Sequence, residues 1–188
     1  MLPVSAAVMV AWLRNQLANW RGHLLTLLMV AAVVITVQWW QTRDVPPGPL
    51  PDVPLTVLMP DGSRSEATLR SLSERHAGSP VALHVWAEWC PICKAEEGTI
   101  TSLARDWPVI TVAMQSGDAA KVAAELRQRH LPWVTAVDPR GDVSRQLGFR
   151  AVPAFAVIDA DGRLRLPAVG YTTSLGMRLR LWWIRLAG

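Results

Sequence analysis

The sequence predicts an α/β domain with a mixed β-sheet flanked by helices, preceded by one N-terminal transmembrane helix. Short apolar runs alternate with helix-like segments through residues 55–188, which is typical of strands and helices packed in layers. The last two runs flank an Asp-Gly turn, so the sheet is expected to close with an antiparallel hairpin. Residues 24–40 contain no charged side chain and are about long enough to cross a bilayer.

The charges around the apolar segment indicate its orientation. Two arginines precede it within residues 1–23, whereas Arg43 and Asp44 follow it and cancel. The positive-inside rule therefore places residues 1–23 in the cytoplasm and the bulk of the chain outside it. A cleaved signal peptide is the alternative, but the segment ends in Gln38-Trp39-Trp40 rather than at a small-x-small site. We therefore expect residues 24–40 to remain as an anchor.

Residues 41–54 are rich in proline, a composition that favours a semi-extended spacer. We expect this spacer to hold the domain at residues 55–188 off the membrane surface. The net charge of the chain is +4, but the part after Asp44 has 16 basic and 14 acidic residues. A nucleic-acid partner is therefore not expected.

The predicted elements of the domain follow in chain order. The continuous apolar run at residues 81–86 is expected to be a strand buried on both faces. Asp118 can cap a helix that runs through His130 and places Val122, Leu126 and His130 on one face. The other strands are predicted at residues 55–59, 66–69, 109–114, 133–137, 154–158 and 163–166, and the other helices at about residues 91–105, before Gly148 and at 173–186.

The C-terminal segment is basic and aromatic. Five arginines and no acidic residue occur from Arg163 onward, a composition that suits anionic lipid, an acidic partner or a solvated helix face. Trp182 and Trp183 point to different faces of the last helix, and packing on the sheet or contact with a membrane interface are the two interpretations. Trp107 and Trp133 are expected in the core.

The two cysteines of the chain, Cys90 and Cys93, follow the strand at residues 81–86 and lie at the start of the next helix. A Cys-x-x-Cys at such a junction suits dithiol–disulfide exchange. Free N–H groups and the helix dipole would stabilise a Cys90 thiolate, and Cys93 lies one turn further on. Zinc normally needs four ligands, and no suitably spaced histidine pair accompanies the cysteines. A purely structural disulfide across so small a loop would stabilise the fold little.

Residues 86–94, Trp-Ala-Glu-Trp-Cys-Pro-Ile-Cys-Lys, resemble the motif of the thioredoxin superfamily. Residues 151–155, Ala-Val-Pro-Ala-Phe, match the cis-proline loop of that superfamily in distance from the cysteines and in position before a strand. The long interval between them resembles the membrane-anchored periplasmic branch (TlpA-like proteins), which includes the reductases of cytochrome c maturation. Residues 113–118 and 170–183 resemble more particularly the D proteins of the bacterial suppressor-of-copper-sensitivity group.

The resemblance implies roles for individual residues. Cys90 would be the nucleophile and Cys93 the resolving cysteine. Pro153 would be the cis-proline beside the disulfide, leaving the backbone of Val152 free to pair with an extended substrate strand. Trp89 would shield the disulfide and contact the substrate. A strand-breaking turn is the alternative interpretation of Pro153.

Two residues are candidates for accepting the proton of Cys93. Thioredoxins have a buried Asp six residues before the nucleophile, and His84 stands there; it is either a proton acceptor or a core residue with satisfied hydrogen bonds. The anchored branch has a Glu three residues after the second cysteine, the position of Glu96. Burial would raise the pKa of Glu96 and let it transfer a proton. Glu97 is expected in solvent.

These observations predict a thiol–disulfide oxidoreductase, anchored by one span in a bacterial inner membrane, with its domain in the periplasm. Its expected partners are protein disulfide substrates and a membrane electron donor of the thiol-reductase type. No cofactor besides the Cys90–Cys93 disulfide and no metal are expected. Two alternatives remain: a protein disulfide oxidase, because the sequence does not fix the direction of electron flow, and a copper(I) or cytochrome c assembly protein, because copper(I) accepts two thiolates.

Overall fold

The computed structural model describes Met9, residues 20–46 and residues 48–187. Most of the predicted cytoplasmic segment at residues 1–23 and Pro47 of the predicted spacer lie outside the described residues. The chain divides into two compact units, and the boundary along the sequence lies between Trp40 and Gln41. The helices are α1 (Trp20–Thr42), α2 (Leu69–Glu74), α3 (Pro91–Leu103), α4 (Ala119–Gln128), α5 (Asp142–Gln146) and α6 (Ser174–Ala187). The strands are β1 (Leu55–Leu58), β2 (Arg64–Ala67), β3 (Val81–Trp86), β4 (Val109–Met114), β5 (Val134–Asp138), β6 (Ala154–Ile158) and β7 (Leu164–Val169).

Helix α1 contains the predicted anchor. Its residues Gly22–Thr42 have a mean hydropathy of 1.8 and are not buried, and Leu25 and Ile35 are 68% and 67% exposed. A helix of this length and composition is suited to cross a membrane. Such a helix near the N-terminus also fits a signal sequence.

The second unit is built on one mixed seven-stranded sheet in the order β2-β1-β5-β4-β3-β6-β7. Strands β3, β4 and β5 run parallel, whereas β1, β6 and β7 pair antiparallel with their neighbours. Strand β3 lies inside the sheet between β4 and β6, and all six of its side chains are buried, as its apolar sequence predicted. The predicted thioredoxin-like architecture is confirmed.

The alternating side chains of β3 divide the core between the two faces of the sheet. Leu83 and Val85 pack into one cluster, which also contains side chains of α2 and α5. Ala82 and Trp86 pack into the other cluster, beneath α3, α4 and α6. Both cysteines belong to this second cluster, so the motif lies on the face that α3 and α6 cover.

Two predicted boundaries were wrong because local capping decides them. Leu69, expected to end the second strand, begins α2. The Thr68 side chain accepts a hydrogen bond from the Ser71 N–H, and the Ser71 side chain accepts one from the Thr68 N–H, so both free donors at the start of the helix are satisfied. Helix α4 ends at Gln128, and His130, expected on its buried face, is exposed in a left-handed conformation with φ 53°.

The predicted spacer at residues 41–54 belongs partly to the domain. Val45 and Leu50 are 6% and 2% exposed and lie in the core cluster of α2. The backbone is also bonded: the Leu50 N–H donates to the Gly162 carbonyl, and the Leu164 N–H donates to the Gly48 carbonyl. This segment therefore packs along the β6–β7 hairpin rather than acting as a free spacer.

Gly148 allows the backbone of Asp44 and Val45 to pack closely against the loop after α5. It has φ 86°, and a Cβ at this position would overlap the Asp44 carbonyl oxygen and the Val45 Cα. Only glycine combines this backbone conformation with this contact.

The tryptophans divide between the core and the surface. Trp107 and Trp133 are 7% and 3% exposed, as predicted. Trp182 and Trp183 are 50% and 65% exposed, so packing on the sheet, one of the two interpretations, is wrong; Met177 and other residues of α6 cover that face instead. Both tryptophans lie on the exposed side of α6, although they were expected on different faces. Trp182 meets the edge of Trp107 with 5.7 Å between the ring centroids.

Candidate redox site

Cys90 and Cys93 lie at the N-terminal end of α3. Cys90 is the N-cap residue, and its Sγ accepts a hydrogen bond from the Cys93 N–H at 3.1 Å. Pro91 occupies the first helical position, where its missing N–H costs nothing. The two sulfurs are at disulfide-bonding distance, and the side chains are only 4% and 2% exposed. The helix dipole and this N–H donor favour a thiolate on Cys90 once the disulfide is reduced.

The loop after β4 fixes the backbone just ahead of the cysteines. The Glu88 N–H donates to Ser116 Oγ at 3.1 Å, and Trp89 Nε1 donates to the Gln115 carbonyl at 3.1 Å. Lys121, near the start of α4, forms an ion pair with Glu88. Sequence reasoning assigned no individual role to Gln115 or Ser116. The signal that could have found them is the parallel pairing of β3 with β4, which brings the C-terminal ends of both strands to one edge of the sheet.

The proline loop packs directly against the cysteines. The Val152–Pro153 peptide bond is cis, as the resemblance implied. The Val152 carbonyl oxygen lies 3.8 Å from Cys90 Sγ, and the buried Pro153 accepts a hydrogen bond from the Gly170 N–H at 2.8 Å. Trp89, the neighbour of Cys90, is 54% exposed.

Glu96 is buried on the same face of α3 as Cys93, three residues further on. The side chain is 1% exposed, and its Oε1 accepts a hydrogen bond from the Thr172 N–H. Burial raises the pKa of Glu96 to about 7, against the lowering effect of the Thr172 hydrogen bond. The carboxyl group therefore exchanges a proton near neutral pH. Thr172 contributes only its backbone, so no side-chain pattern could have revealed it.

His84 lies beside Glu96, with 3.9 Å between His84 Nδ1 and Glu96 Oε2. It is fully buried, and neither ring nitrogen has a hydrogen-bond partner among the described residues, so the expectation of satisfied hydrogen bonds was wrong. Burial lowers the pKa of His84 to about 3. The imidazole is therefore neutral near pH 7. When Glu96 holds its proton, both buried groups are uncharged, so the contact is not an ion pair.

Glu97 is not solvated as expected. Its side chain is 22% exposed and forms an ion pair with Arg129, which follows α4 and is 13% exposed. The Arg129 guanidinium also lies 5.8 Å from the ring centroid of Trp86. Desolvation raises the pKa of Glu97, and Arg129 opposes that shift. The two adjacent glutamates therefore differ in function: Glu97 joins α3 to the end of α4, whereas Glu96 faces the core.

The described residues contain no group of three or more His, Cys, Asp or Glu side chains that could hold a metal ion. Within this part of the chain, the two thiols are the soft ligands at the site. The copper(I) alternative would use the reduced thiols of Cys90 and Cys93.

The chain is similar to known proteins over most of the domain. The sequence profile of the redoxin family matches residues 54–173. A thioredoxin-like protein of Haemophilus influenzae is 25% identical over 87% of this chain and 94% of its own length. The thiol:disulfide interchange protein DsbE of Pseudomonas aeruginosa is 29% identical over 76% of this chain and 79% of its own length.

Solved structures share the fold. A Chlorobium tepidum protein described as a candidate thiol:disulfide interchange protein DsbE superposes with a TM-score of 0.57 and 25% identity, over 76% of this chain and 97% of that one. An exposed lipoprotein thioredoxin from Streptococcus pneumoniae superposes with a TM-score of 0.58 and 24% identity, over 70% of this chain and 99% of that one. The second likeness concerns the fold alone.

Proposed function

The chain belongs to the redoxin family, within the thioredoxin-like superfamily, and we propose that it is a membrane-anchored periplasmic reductase of protein disulfides. The observation that supports the proposal most is the position of the cysteine pair. Cys90 caps α3 and lies beside the cis Val152–Pro153 bond, with the buried carboxyl of Glu96 on the same helix face as Cys93. The relatives named as thiol:disulfide interchange proteins support the same class of reaction.

The proposed reaction moves two electrons from the dithiol to a substrate disulfide. The Cys90 thiolate attacks one sulfur of the substrate disulfide, that bond breaks, and one substrate thiolate leaves. Cys93 then attacks Cys90 Sγ, which breaks the mixed disulfide and releases the second substrate thiolate. The products are the Cys90–Cys93 disulfide and a reduced substrate. A membrane donor of the thiol-reductase type returns two electrons to the pair.

We assign the proton of Cys93 to Glu96 rather than to His84. A general base works best when its pKa lies near the working pH, and the pKa of Glu96 is about 7 whereas that of His84 is about 3. His84 instead lies next to the carboxyl group and contributes to its unusual environment. Trp89 and the backbone of Val152 are the proposed contacts for an extended substrate segment.

The proposed location follows from α1. A single uncleaved span with a cytoplasmic N-terminus would put the domain in the periplasm, at the inner membrane. A cleaved signal sequence is the alternative fate of α1. Protease protection in spheroplasts separates them: an intact, membrane-bound chain whose domain is digested only from the periplasmic side supports the anchor.

The likeness to the suppressor-of-copper-sensitivity D group remains a proposal from residues 113–118 and 170–183. It predicts that loss of the protein lowers growth under copper stress, and that the Cys90→Ser chain does not restore it. Restoration by Cys90→Ser would separate copper tolerance from thiol chemistry.

The central experiment captures the reaction intermediate. The Cys93→Ala chain should accumulate mixed disulfides on Cys90, identified by mass spectrometry, because the resolving attack is missing. The matched control, Cys90→Ala with Cys93→Ala, should capture none. Equal yields from both chains would overturn the oxidoreductase proposal.

A second measurement tests the direction of electron flow. Rapid alkylation of thiols in cells should find the Cys90–Cys93 pair mostly reduced at steady state, if a membrane donor keeps it loaded. A mostly oxidised pair would instead favour the oxidase alternative. The trapping experiment above gives mixed disulfides in either case, so the two results are read separately.

A further inference from the structure

Helix α6 has a second apolar face that is largely exposed in the described part of the domain. Met177 and Leu181 on its inner side are fully buried in the core. Its outer side carries five large apolar residues spaced as one face of a helix. These residues, here called the outer stripe, are Leu175, Leu179, Trp182, Trp183 and Leu186, and they are 67%, 58%, 50%, 65% and 80% exposed.

Arginines border the outer stripe on both sides. At 100° per residue, Arg178 and Arg185 lie along one edge and Arg180 lies along the other. Arg178 is paired with Asp106, whereas neither Arg180 nor Arg185 forms an ion pair with a carboxylate in the described part of the chain. No acidic residue occurs in the sequence after Asp161. The face is therefore apolar along its centre and positive at its edges.

We propose that the outer stripe docks on the surface of an anionic phospholipid bilayer. Helices that lie in the membrane interface combine Leu and Trp on one face with basic residues beside it, and their binding needs both buried apolar area and anionic headgroups. Trp182 and Trp183 have the amphipathic rings that favour the headgroup layer. Helix α6 has all three features of such helices: an apolar face, arginines beside it and tryptophans suited to the headgroup layer.

A second copy of the chain fits the same face less well. Two outer stripes pressed together would bring their bordering arginines toward each other with no acidic residue on either helix to offset them. Like charges juxtaposed across an interface oppose association. The lipid surface supplies the missing negative charge.

Docking would connect the membrane to the redox site through a short stretch of chain. Thr172, whose N–H donates to Glu96, lies two residues before the start of α6. A docked α6 would restrict how the domain turns at the bilayer, and so restrict the directions from which a membrane partner reaches Cys90.

The test follows a fluorophore on α6 in the full chain. The proposal rests on the membrane anchor of the proposed function, so flotation of the chain with vesicles is measured in parallel. Leu179→Cys, in a chain with Cys90→Ser and Cys93→Ser, receives a polarity-sensitive nitrobenzoxadiazole label. The matched control carries the label at Ala77→Cys, exposed in the turn after α2 on the other side of the sheet. Vesicles contain phosphatidylglycerol and phosphatidylcholine, or phosphatidylcholine alone, with or without doxyl-labelled lipid.

The expected result is a blue-shifted emission at position 179, quenched by doxyl lipid, in the anionic vesicles and not at position 77. Arg180→Gln and Arg185→Gln should each lower the ratio of docked to undocked chain about fivefold. Higher salt should also lower this ratio, because it screens the attraction to the anionic headgroups. Circular dichroism of each labelled chain checks the fold.

Three outcomes would overturn the proposal. A chain that floats with the vesicles while positions 179 and 77 respond alike disproves docking and leaves the anchor standing. A chain that does not float disproves both. A blue shift at 179 that needs several chains per vesicle, without quenching by doxyl lipid, shows self-association instead.

Discussion

Replacing Glu96 by Gln should stabilise the domain, and the gain should depend on pH. The pKa of Glu96 rises from 4.5 to about 7 on folding because burial disfavours the charged form. Between these values the folded chain keeps a proton that the unfolded chain has released, so wild-type stability falls as pH rises. At 1.36 kcal/mol per pH unit, ionised Glu96 costs the fold about 3 kcal/mol above pH 7.

The amide keeps the shape of the side chain and the acceptor for the Thr172 N–H, but it cannot ionise. Glu96→Gln should therefore match the wild type below pH 4.5 and exceed its stability by about 3 kcal/mol above pH 7. The assay is urea unfolding of the oxidised domain, residues 41–188, from pH 4 to 9, followed by tryptophan fluorescence.

Glu97→Gln is the matched control because it changes the neighbouring carboxylate on the same helix. It leaves the partly buried Arg129 without its ion-pair partner, so it should lower stability at neutral pH. A Glu96→Gln curve that runs parallel to the wild type at every pH would show that Glu96 ionises normally. The assignment of the Cys93 proton to Glu96 would then fail.

Three further substitutions test the remaining assignments by denaturant unfolding. The wild type should lose stability as pH falls from 6.5 toward 3, because His84 takes up a proton there only in the unfolded chain, and His84→Leu should remove that loss. The same pH dependence in both chains between pH 6.5 and 3 would contradict the lowered pKa of about 3. Leu50→Ala should lower the free energy of unfolding by about 2–5 kcal/mol, whereas Asp52→Ala, at an exposed position nearby, should change it very little. Equally small effects of both substitutions would show that this segment is a free spacer. Gly62→Ala should lower the free energy of unfolding by about 1–2 kcal/mol from backbone strain alone, because Gly62 has a φ of 85° and no neighbouring atom where a Cβ would lie. Gly148→Ala should lower it clearly more, because the added Cβ would also overlap the backbone of Asp44 and Val45.

The sequence predicted those features that depend on neighbouring residues. Strand β3 was found with its observed ends because an uninterrupted apolar run indicates burial on both faces. The position of the cysteines at a helix start followed from the apolar run before them and the helix-like run after them. The cis bond before Pro153 came from the resemblance rather than from the pattern of residues.

Two of the missed features depend on contacts between distant segments, and a third depends on a local helix cap. Composition alone made the segment around Leu50 look like a spacer, whereas its burial against the β6–β7 hairpin is a tertiary contact. Glu97 pairs with Arg129, 32 residues further on, so its environment is set by where α4 ends. Helix α2 was missed because its capping box has Ser71 at the position where Glu or Gln is the usual signal.

The hydrogen bond from the Thr172 N–H to Glu96 has a consequence for mutational studies of this site. The donor is a main-chain atom, so an alanine scan would retain it and would score position 172 as dispensable for the carboxyl group. Proline at 172, or an ester in place of the amide, removes the donor itself. Loss of that donor should push the proton affinity of Glu96 still higher, because the remaining influence on the carboxylate is its burial.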